Sequence, residues 1–588
     1  MAKKEKLSKD KRSIVIKRLL TYIRPYRKFL LLSILSALSA TLCALVFPLI
    51  TGEAIDSIAD GNWSSFFIYL VALLSITAIS GLFQYILNQS NNRLTYLSVR
   101  DMRKDLFNNI QYLELSYLDS HSSGSIVSRM IADIDQVADG LLMGFTQFFT
   151  GVLSIFGTLV CLFYINWIVA LVVVIVTPIS LFTASFIAKR TYNLFHKQSK
   201  ARGEQTAFID EMITGAQVVS SFSMEEKSQI QFDALNDELS NSSLYATFYS
   251  SLTNPVTRFV NSVVYTGVAL SGGLAAISGH LSIGALSATL AYAKEYTKPF
   301  NEISSVMTEL QNALASADRV FELMDERKEP RDNNGAVSLS NPSGSIDIDH
   351  VFFSYDKKKP LITDLSLSVK PGMKVAIVGP TGSGKTTIIN LLMRFYDVDS
   401  GFISVDGVDI QNIKRADLRD CYGMVLQETW LKSGTIRDNL LIGARNASDR
   451  DIDAVVKSCH LEQFIATLPN GYDEVLSEEH GAISEGQKQL LCIARAMLSD
   501  PKMLILDEAT SSIDTRTELI IQDAFENMMK GRTSFIVAHR LSTIKSADLI
   551  LVLDKGNVVE KGRHDELLKA KGFYYNLYNS QFSNQGLC

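Results

Sequence analysis

Long apolar runs fill the first half of the chain, and only short ones punctuate the second. Between residues 29 and 310, six stretches reach the roughly 20 mostly apolar residues that a membrane-crossing helix needs. They are Phe29–Ile50, Ser65–Leu87, Leu141–Ile165, Trp167–Ala188, Arg258–Ser278 and Ile283–Met307. The fifth begins after Asn254-Pro255, where the proline disturbs helix pairing, and the sixth carries charges. The connections alternate in charge. Residues 51–64 hold Glu53, Asp56 and Asp60 but no Lys or Arg, and the turn Gly279–Leu281 has neither. Residues 88–140 and 189–257 are long and basic, with Arg93, Arg100, Arg103, Lys104, Lys197 and Arg202 among them. By the positive-inside rule the short loops lie outside, the long ones inside, and both termini are cytoplasmic.

The N-terminal basic run, Lys3 to Arg18, is interrupted by Glu5 and Asp10. The apolar stretch after it is too long for a cleavable signal. Inside the long basic connections, Thr95–Tyr112 and Ser199–Phe222 repeat apolar residues at helical period. The membrane helices are therefore expected to continue into the cytoplasm, with tips at Tyr117–Gly124 and Gly215–Phe222. A polar stretch rich in Gly, Ser, Asn and Pro follows. Beyond it, short apolar strands alternate with helical patterns, as in an α/β domain with a mostly parallel sheet. The expected organisation is a basic cytoplasmic segment (1–28), a six-helix transmembrane domain (29–325), a linker (326–344) and an α/β domain (345–588).

Composition agrees with this split. Of the 588 residues 47% are hydrophobic and 20% charged, below the roughly 25% charged residues usual in soluble proteins. That excludes a disordered, collagen-like or disulfide-stapled chain. A net charge of −5 argues against nucleic acid as a partner. The six cysteines, Cys43, Cys161, Cys421, Cys459, Cys492 and Cys588, fit neither a zinc pattern nor a disulfide framework and read as small apolar filler.

The sharpest motif is Gly379-Pro380-Thr381-Gly382-Ser383-Gly384-Lys385-Thr386, followed by Thr387. It matches the phosphate-binding loop G-x-x-x-x-G-K-[ST] in full. An expected strand, Lys374–Val378, feeds the loop, and a helix leaves it near Thr386. Glycines let backbone N–H groups converge on phosphate oxygens, and the helix N-terminus adds positive potential. Lys385 reaches the β/γ-phosphates, and the Thr386 hydroxyl holds Mg²⁺. Further on, Met503–Asp507 is an apolar strand that ends in Asp507-Glu508. Ligands bind at such C-terminal strand ends. Asp507 is suited to orient Mg²⁺ through water, and Glu508 to polarise the attacking water as general base. His539 follows the apolar strand Ser534–Val537; a lone histidine there is ordinarily structural.

Between these motifs lies Ile483-Ser484-Glu485-Gly486-Gln487-Lys488-Gln489, which resembles the L-S-G-G-Q signature of ATP-binding cassette proteins. With the phosphate loop, Asp507-Glu508 and His539 in order, the chain resembles a half-transporter of the type IV (B-family-like) ABC exporters. The resemblance implies further roles. Tyr355 takes the place of an aromatic that stacks on adenine. Gln427 stands at the Q-loop position near Mg²⁺ and Asp514 at the D-loop position. His539 matches a switch histidine that contacts the γ-phosphate. The two cytoplasmic tips match coupling helices. Ser484, Glu485, Gly486 and Gln487 would face the ATP of a partner domain. The implied partner is a second half-transporter.

One residue departs from the pattern: Glu485 replaces a glycine of the signature. A carboxylate beside a partner-bound γ-phosphate repels it, and its side chain obstructs close backbone approach. This resembles the degenerate-signature subunit of heterodimeric bacterial multidrug exporters; a homodimer that tolerates Glu485 is the other reading. The expected function is ATP-driven export of amphipathic small molecules across the bacterial plasma membrane, with ATP and Mg²⁺. A lipid flippase or peptide exporter of the same architecture, and an ATP-gated sensor, are the alternatives. Lys294, Glu295 and Lys298 lie inside the sixth span, where a charge costs at least about 2.5 kcal/mol. They form either a polar wall of a substrate pathway or an ion pair in a wet gap.

Overall fold

The computed structural model describes residues 9–333, 335–339, 341–427, 429–444, 446–476, 483–507, 514–538 and 541–581. The chain forms two compact units: Met1–Leu113 with His121–Arg327, and Glu114–Ser120 with Lys328–Cys588.

The first unit is helical. Its main helices are Arg27–Ala59, Trp63–Ile110, the run Ser123–Ile165, Trp167–Thr214, Glu225–Ser251, Thr253–Ile277 and Ile283–Asp325. Polar caps start three of them. Asn62 accepts from the Ser65 amide at 3.2 Å, Asn166 from Ile168 at 2.9 Å, and Ser282 from Ala285 at 3.0 Å. Trp63–Ile110 and Trp167–Thr214 have 48 residues each, about 72 Å at helical rise, so each far outreaches a ~30 Å hydrocarbon layer. The expected cytoplasmic extensions are therefore continuous with the apolar spans. Gly215 ends the second rod, and the short helix Ala216–Ser221 follows at the expected tip. The other expected tip contains the short helix Leu115–Ser120, which groups with the second unit.

Among the described residues, Asp10–Ala59, Trp63–Ile110, Ser123–Ile165 and Arg258–Ile277 carry windows long and apolar enough to cross a membrane. The expected fourth span is helical within Trp167–Thr214, and most of its side chains lie outside the described residues. Packing reverses the soluble pattern. In Arg27–Ala59 the buried face carries Ser33, Ser36, Ala37, Ala40 and Gly52, while Leu31, Leu35 and Leu42 are exposed. Small residues let helix backbones approach, and large apolar ones suit lipid.

The closest approach joins Arg27–Ala59 to the start of Ile283–Asp325. A Cβ at Gly284 would lie 2.0 Å from the Gly52 carbonyl oxygen, and one at Gly52 would lie 2.7 Å from that of Gly284. Beside this crossing the Asp56 carboxylate accepts from the Gly284 amide at 2.7 Å and the Ser282 hydroxyl at 2.5 Å. It thereby satisfies an otherwise orphaned N–H of the helix start.

The second unit contains β1 (Ile346–Phe353), β2 (Ile362–Val369), β3 (Lys374–Val378), β4 (Ser400–Val405), β5 (Val408–Asp409), β6 (Tyr422–Val425), β7 (Gly434–Thr435), β8 (Val475–Leu476), β9 (Met503–Asp507), β10 (Thr533–Val537), β11 (Leu549–Asp554) and β12 (Asn557–Gly562). The central sheet runs β12-β11-β3-β10-β9-β6, parallel except for β12. Its central strands β3, β9, β10 and β11 are buried on both faces, as parallel strands covered by other layers must be. Ala376, Leu504 and Ile536 face the helices Glu485–Leu498 and Thr515–Met529. The alternate residues Ile377, Ile505 and Phe535 pack against the helix Lys385–Leu392 and the second sheet, β2-β1-β4-β5.

The turn between β4 and β5 holds the segment that enters β1. Asp406 adopts φ +52° and Gly407 φ +78°. The Asp406 carboxylate accepts from the Ser343 amide and hydroxyl at 2.6 Å each and from the Ser345 amide at 2.9 Å. Burial alone would raise its pKa, but these hydrogen bonds outweigh it and hold the carboxyl below the usual range.

Candidate functional site

Strand order alone assembles the nucleotide motifs. The phosphate loop follows β3, position 539 follows β10, Asp507 ends β9 and Gln427 follows β6. These four strands are neighbours in one parallel sheet, so the phosphate loop, Gln427 and Asp507 emerge at its C-terminal edge. Register sharpens the placement: Val537 pairs with Asp507, and Val425 with Leu506, which brings Gln427 out beside the end of β9. Glu508 and His539 themselves lie outside the described residues.

The loop backbone is built for close approach. Gly382 (φ +80°) and Gly384 (φ +96°) occupy conformations that L side chains rarely adopt. A Cβ at Gly379 would lie 2.3 Å from the Leu553 carbonyl oxygen. Thr381 and Thr386 are exposed, whereas Ser383 and Thr387 are buried. The Ser383 hydroxyl is buried without a hydrogen-bond partner. Lys385 opens the helix Lys385–Leu392 and folds back over the loop, its ammonium donating to the carbonyls of Gly379 at 2.8 Å and Pro380 at 3.1 Å. Burial lowers its pKa, and the nearby Asp507 carboxylate opposes that shift. An ammonium that caps carbonyls in the loop is poised to exchange them for phosphate oxygens. The glycine cradle and the orphaned Ser383 hydroxyl fit a nucleotide phosphate chain.

Tyr355 is half-exposed, and its ring is fixed. It meets Phe353 edge-on at 4.9 Å and Tyr396 edge-on at 5.0 Å. Its hydroxyl donates to Thr387 Oγ1 at 3.3 Å and accepts from Asn390 at 3.2 Å. The phosphate-loop helix thus braces the expected adenine platform. Tyr396 donates in turn to Asp119 at 2.6 Å, within the same unit, because Glu114–Ser120 groups with it. Burial, with Asp119 next, pushes the Tyr396 phenol well up.

The signature residues start the helix Glu485–Leu498. Ser484 and Gln487 cap each other: the Gln487 amide donates to Ser484 Oγ at 3.3 Å, and the Ser484 amide to Gln487 Oε1 at 3.0 Å. Gly486 is buried. Glu485 occupies the first helical position, where the macrodipole favours an anion. Its carboxylate accepts from the Thr429 hydroxyl and lies 3.6 Å from the Lys488 ammonium. Thr429 stands two residues past Gln427, so Glu485 ties the signature helix to the Q-loop of its own domain. Sequence reasoning missed this tie, because only the fold brings the two positions together. Asp514 caps the helix Thr515–Met529, accepting from the amides of Arg516 at 3.1 Å and Thr517 at 3.0 Å. Hydrogen bonds from the Thr517 side chain and from these amides hold it below the usual carboxylate range.

Cys421, Cys459 and Cys492 are buried, and burial pushes the first two thiols up to about 11 and about 12. Such thiols are inert, in keeping with filler. Cys588 lies outside the described residues.

In the membrane unit a chamber of about 240 Å³ opens among the apolar helices. Its walls include Thr41, Ala44, Gln84, Gln147, Glu295 and Lys298. Lys294 is exposed but does not line it. Glu295 and Lys298 share the chamber and form no ion pair with each other within the chain. The two glutamines carry the same signal as the charges, amides set in apolar runs, and they bring Trp63–Ile110 and the run Ser123–Ile165 to the wall.

Comparison with known proteins agrees with this architecture. Residues 30–299 match the ABC transporter transmembrane region, and residues 362–511 match the ABC transporter ATPase family. An uncharacterized ABC transporter ATP-binding protein of Bacillus subtilis, YfiC, is 38% identical over 99% of this chain and 96% of its own length. A fatty acid ABC transporter ATP-binding/permease protein of Mycobacterium bovis is 40% identical over 87% of this chain and 79% of its own. The structure of a bacterial Atm1-family ABC exporter with ATP bound superposes with a TM-score of 0.75 at 27% identity, covering 95% of this chain and 98% of that one.

Proposed function

The chain belongs to the ABC transporter family as an ATP-driven exporter half-transporter, and from that premise we propose that it exports amphipathic small molecules from bacteria, paired with a second half-transporter. The observation that carries the reading is the convergence of the phosphate loop, Gln427 and Asp507 at one sheet edge, in a chain whose other unit is lipid-suited helices around a polar chamber. ATP lies between the phosphate loop of one subunit and the signature of the other. Tyr355 stacks on the base, Lys385 holds the β/γ-phosphates, and Thr386, Asp507 and Gln427 hold Mg²⁺. Glu508 activates water and His539 steadies the γ-phosphate. Asp514 couples the two sites, and the short helices at 115–120 and 216–221 carry the signal to the membrane unit. Six membrane helices with both termini in the cytoplasm fit the charge pattern of the loops.

The partner is a different chain with an intact signature, and this chain supplies the catalytic Glu508 to the competent site. A homodimer is favoured by one observation: Glu485 is engaged by Thr429 and Lys488 within its own domain. Reconstituting the chain alone and measuring ATP hydrolysis beside Glu508→Gln separates the two. Negligible turnover, restored only by a related chain with an intact signature, supports the heterodimer. Robust turnover of the lone chain, abolished by Glu508→Gln, refutes it. ATP-dependent uptake of amphiphiles into inverted vesicles tests export itself, and its absence from every active pairing overturns the transport reading.

A further inference from the structure

Two prolines lie inside helices that wall the chamber. Pro48 lies inside Arg27–Ala59, and Pro299 inside Ile283–Asp325. A proline has no N–H for the carbonyl four residues earlier. Those carbonyls belong to Ala44 and Glu295, and both residues line the chamber. Two helices far apart in the chain therefore each carry, at a residue that lines the cavity, a carbonyl without its usual helical donor. Unsatisfied carbonyls at membrane depth are tolerated where they line a polar cavity. The Thr150 hydroxyl, also in the wall, donates to the carbonyl of Thr146 and so turns only lone pairs elsewhere. Glu295 is the one carboxylate and Lys298 the one cation among the described residues that line the chamber.

Glu295 and Lys298 are three residues apart on one helix, both open to the chamber and not paired with each other. A ligand with a single positive charge would satisfy Glu295 and leave Lys298 uncompensated within the membrane-spanning unit. An anion would do the reverse. Each uncompensated charge is costly there. Only a head that carries both charges, a few ångströms apart, matches both. We propose that this chamber binds the head of a zwitterionic amphiphile, its ammonium against Glu295 and its anionic group against Lys298. The inference rests on the exporter reading of the membrane unit and names the substrate class of that reading. A fatty acid, the cargo named for the mycobacterial relative, carries the anionic half alone.

Three amphiphiles with one tail and different heads test this: dodecylamine, dodecanoate and the zwitterion N-dodecyl-β-alanine. Radiolabelled, each is titrated against the full-length chain in nanodiscs, with empty nanodiscs subtracted. The zwitterion is expected to bind about tenfold more tightly than either singly charged analogue, a difference of ~1.4 kcal/mol. Glu295→Gln should abolish that advantage and favour dodecanoate, and Lys298→Gln should favour dodecylamine. The swap Glu295→Lys with Lys298→Glu should restore the preference for the zwitterion, and unchanged ATP binding reports that each variant is folded. Equal affinity for the three heads, or a rank order that neither neutralisation moves, overturns the proposal. Discs of phosphatidylethanolamine against phosphatidylglycerol distinguish the source. Loss of zwitterion binding in phosphatidylethanolamine alone identifies a membrane lipid as occupant, and equal binding in both a soluble molecule. The binding assay needs no ATP, so its outcome is separate from that of vesicle transport. Head selectivity without transport leaves the site standing and removes the exporter reading, whereas transport without head selectivity removes the site alone.

Discussion

Replacing Glu485 and Lys488 by Gln, one at a time, should move ATP turnover in opposite directions. At the interface that uses this signature, a γ-phosphate about 6 Å from the Glu485 carboxylate would be repelled by ~3 kcal/mol at an effective dielectric of about 20. The Lys488 ammonium, 3.6 Å from that carboxylate, attracts the same phosphate and cancels most of the repulsion. Both side chains are close to half exposed, 51% for Glu485 and 40% for Lys488. Solvent and mobility therefore discount each contribution to about 1 kcal/mol, or about fivefold in rate. In the chain reconstituted alone, where both sites use this signature, Glu485→Gln should raise turnover by about that factor, and Lys488→Gln should lower it by a similar one. Phosphate release from the reconstituted full-length transporter at saturating ATP is the assay. Repeating it at high salt should shrink both effects, because exposed charges are screened. Two variants that move turnover the same way, or a Glu485→Gln rate unchanged at low salt, would refute the electrostatic account. The residue would then act through its tie to Thr429 alone, and Thr429→Val would reproduce it.

Lys385→Ala should remove the ammonium that now spans the Gly379 and Pro380 carbonyls and abolish hydrolysis, with nucleotide affinity read by a fluorescent ATP analogue. Asp514→Ala should cost about 1 kcal/mol of helix stability, while Asp514→Asn keeps the cap; turnover lost in both, against stability lost only in the first, isolates a coupling role from capping. Asp406→Asn tolerates the left-handed turn but loses charge-assisted hydrogen bonds, so it should lower stability by about 2 kcal/mol at neutral pH. The folded Asp406 carboxyl sits below its unfolded value, so its contribution is whole above roughly pH 4 and fades as pH falls through the folded pKa. Denaturation of wild type and variant across pH should show the gap closing only at the acid end.

The membrane unit was legible because lipid imposes length and polarity on each span. Strands β3 and β9 were legible because an apolar run that stops abruptly at Gly379 or at Asp507 marks a buried strand handing its next residues to a sheet edge. Fusion of the two units followed from their order. What stayed hidden depends on which elements become neighbours. Thr429 and Glu485 are 56 positions apart, and Asp119 and Tyr396 are 277 apart. No local pattern pairs them. The charges of the sixth span show the same limit. Spacing put Lys294, Glu295 and Lys298 in one group, but the helix surface has several sides, and the chamber takes Glu295 and Lys298 without Lys294.

The crossing of Gly52 and Gly284 also shapes how this gene can vary. Most tight contacts between side chains can be relieved in two steps, one residue growing after its neighbour has shrunk. Here each would-be Cβ strikes the other residue's main chain, which no mutation removes. No compensating partner exists at either position, so the pair offers neutral drift no route. Any lineage that keeps Asp56 clamped on the Gly284 amide keeps both glycines with it.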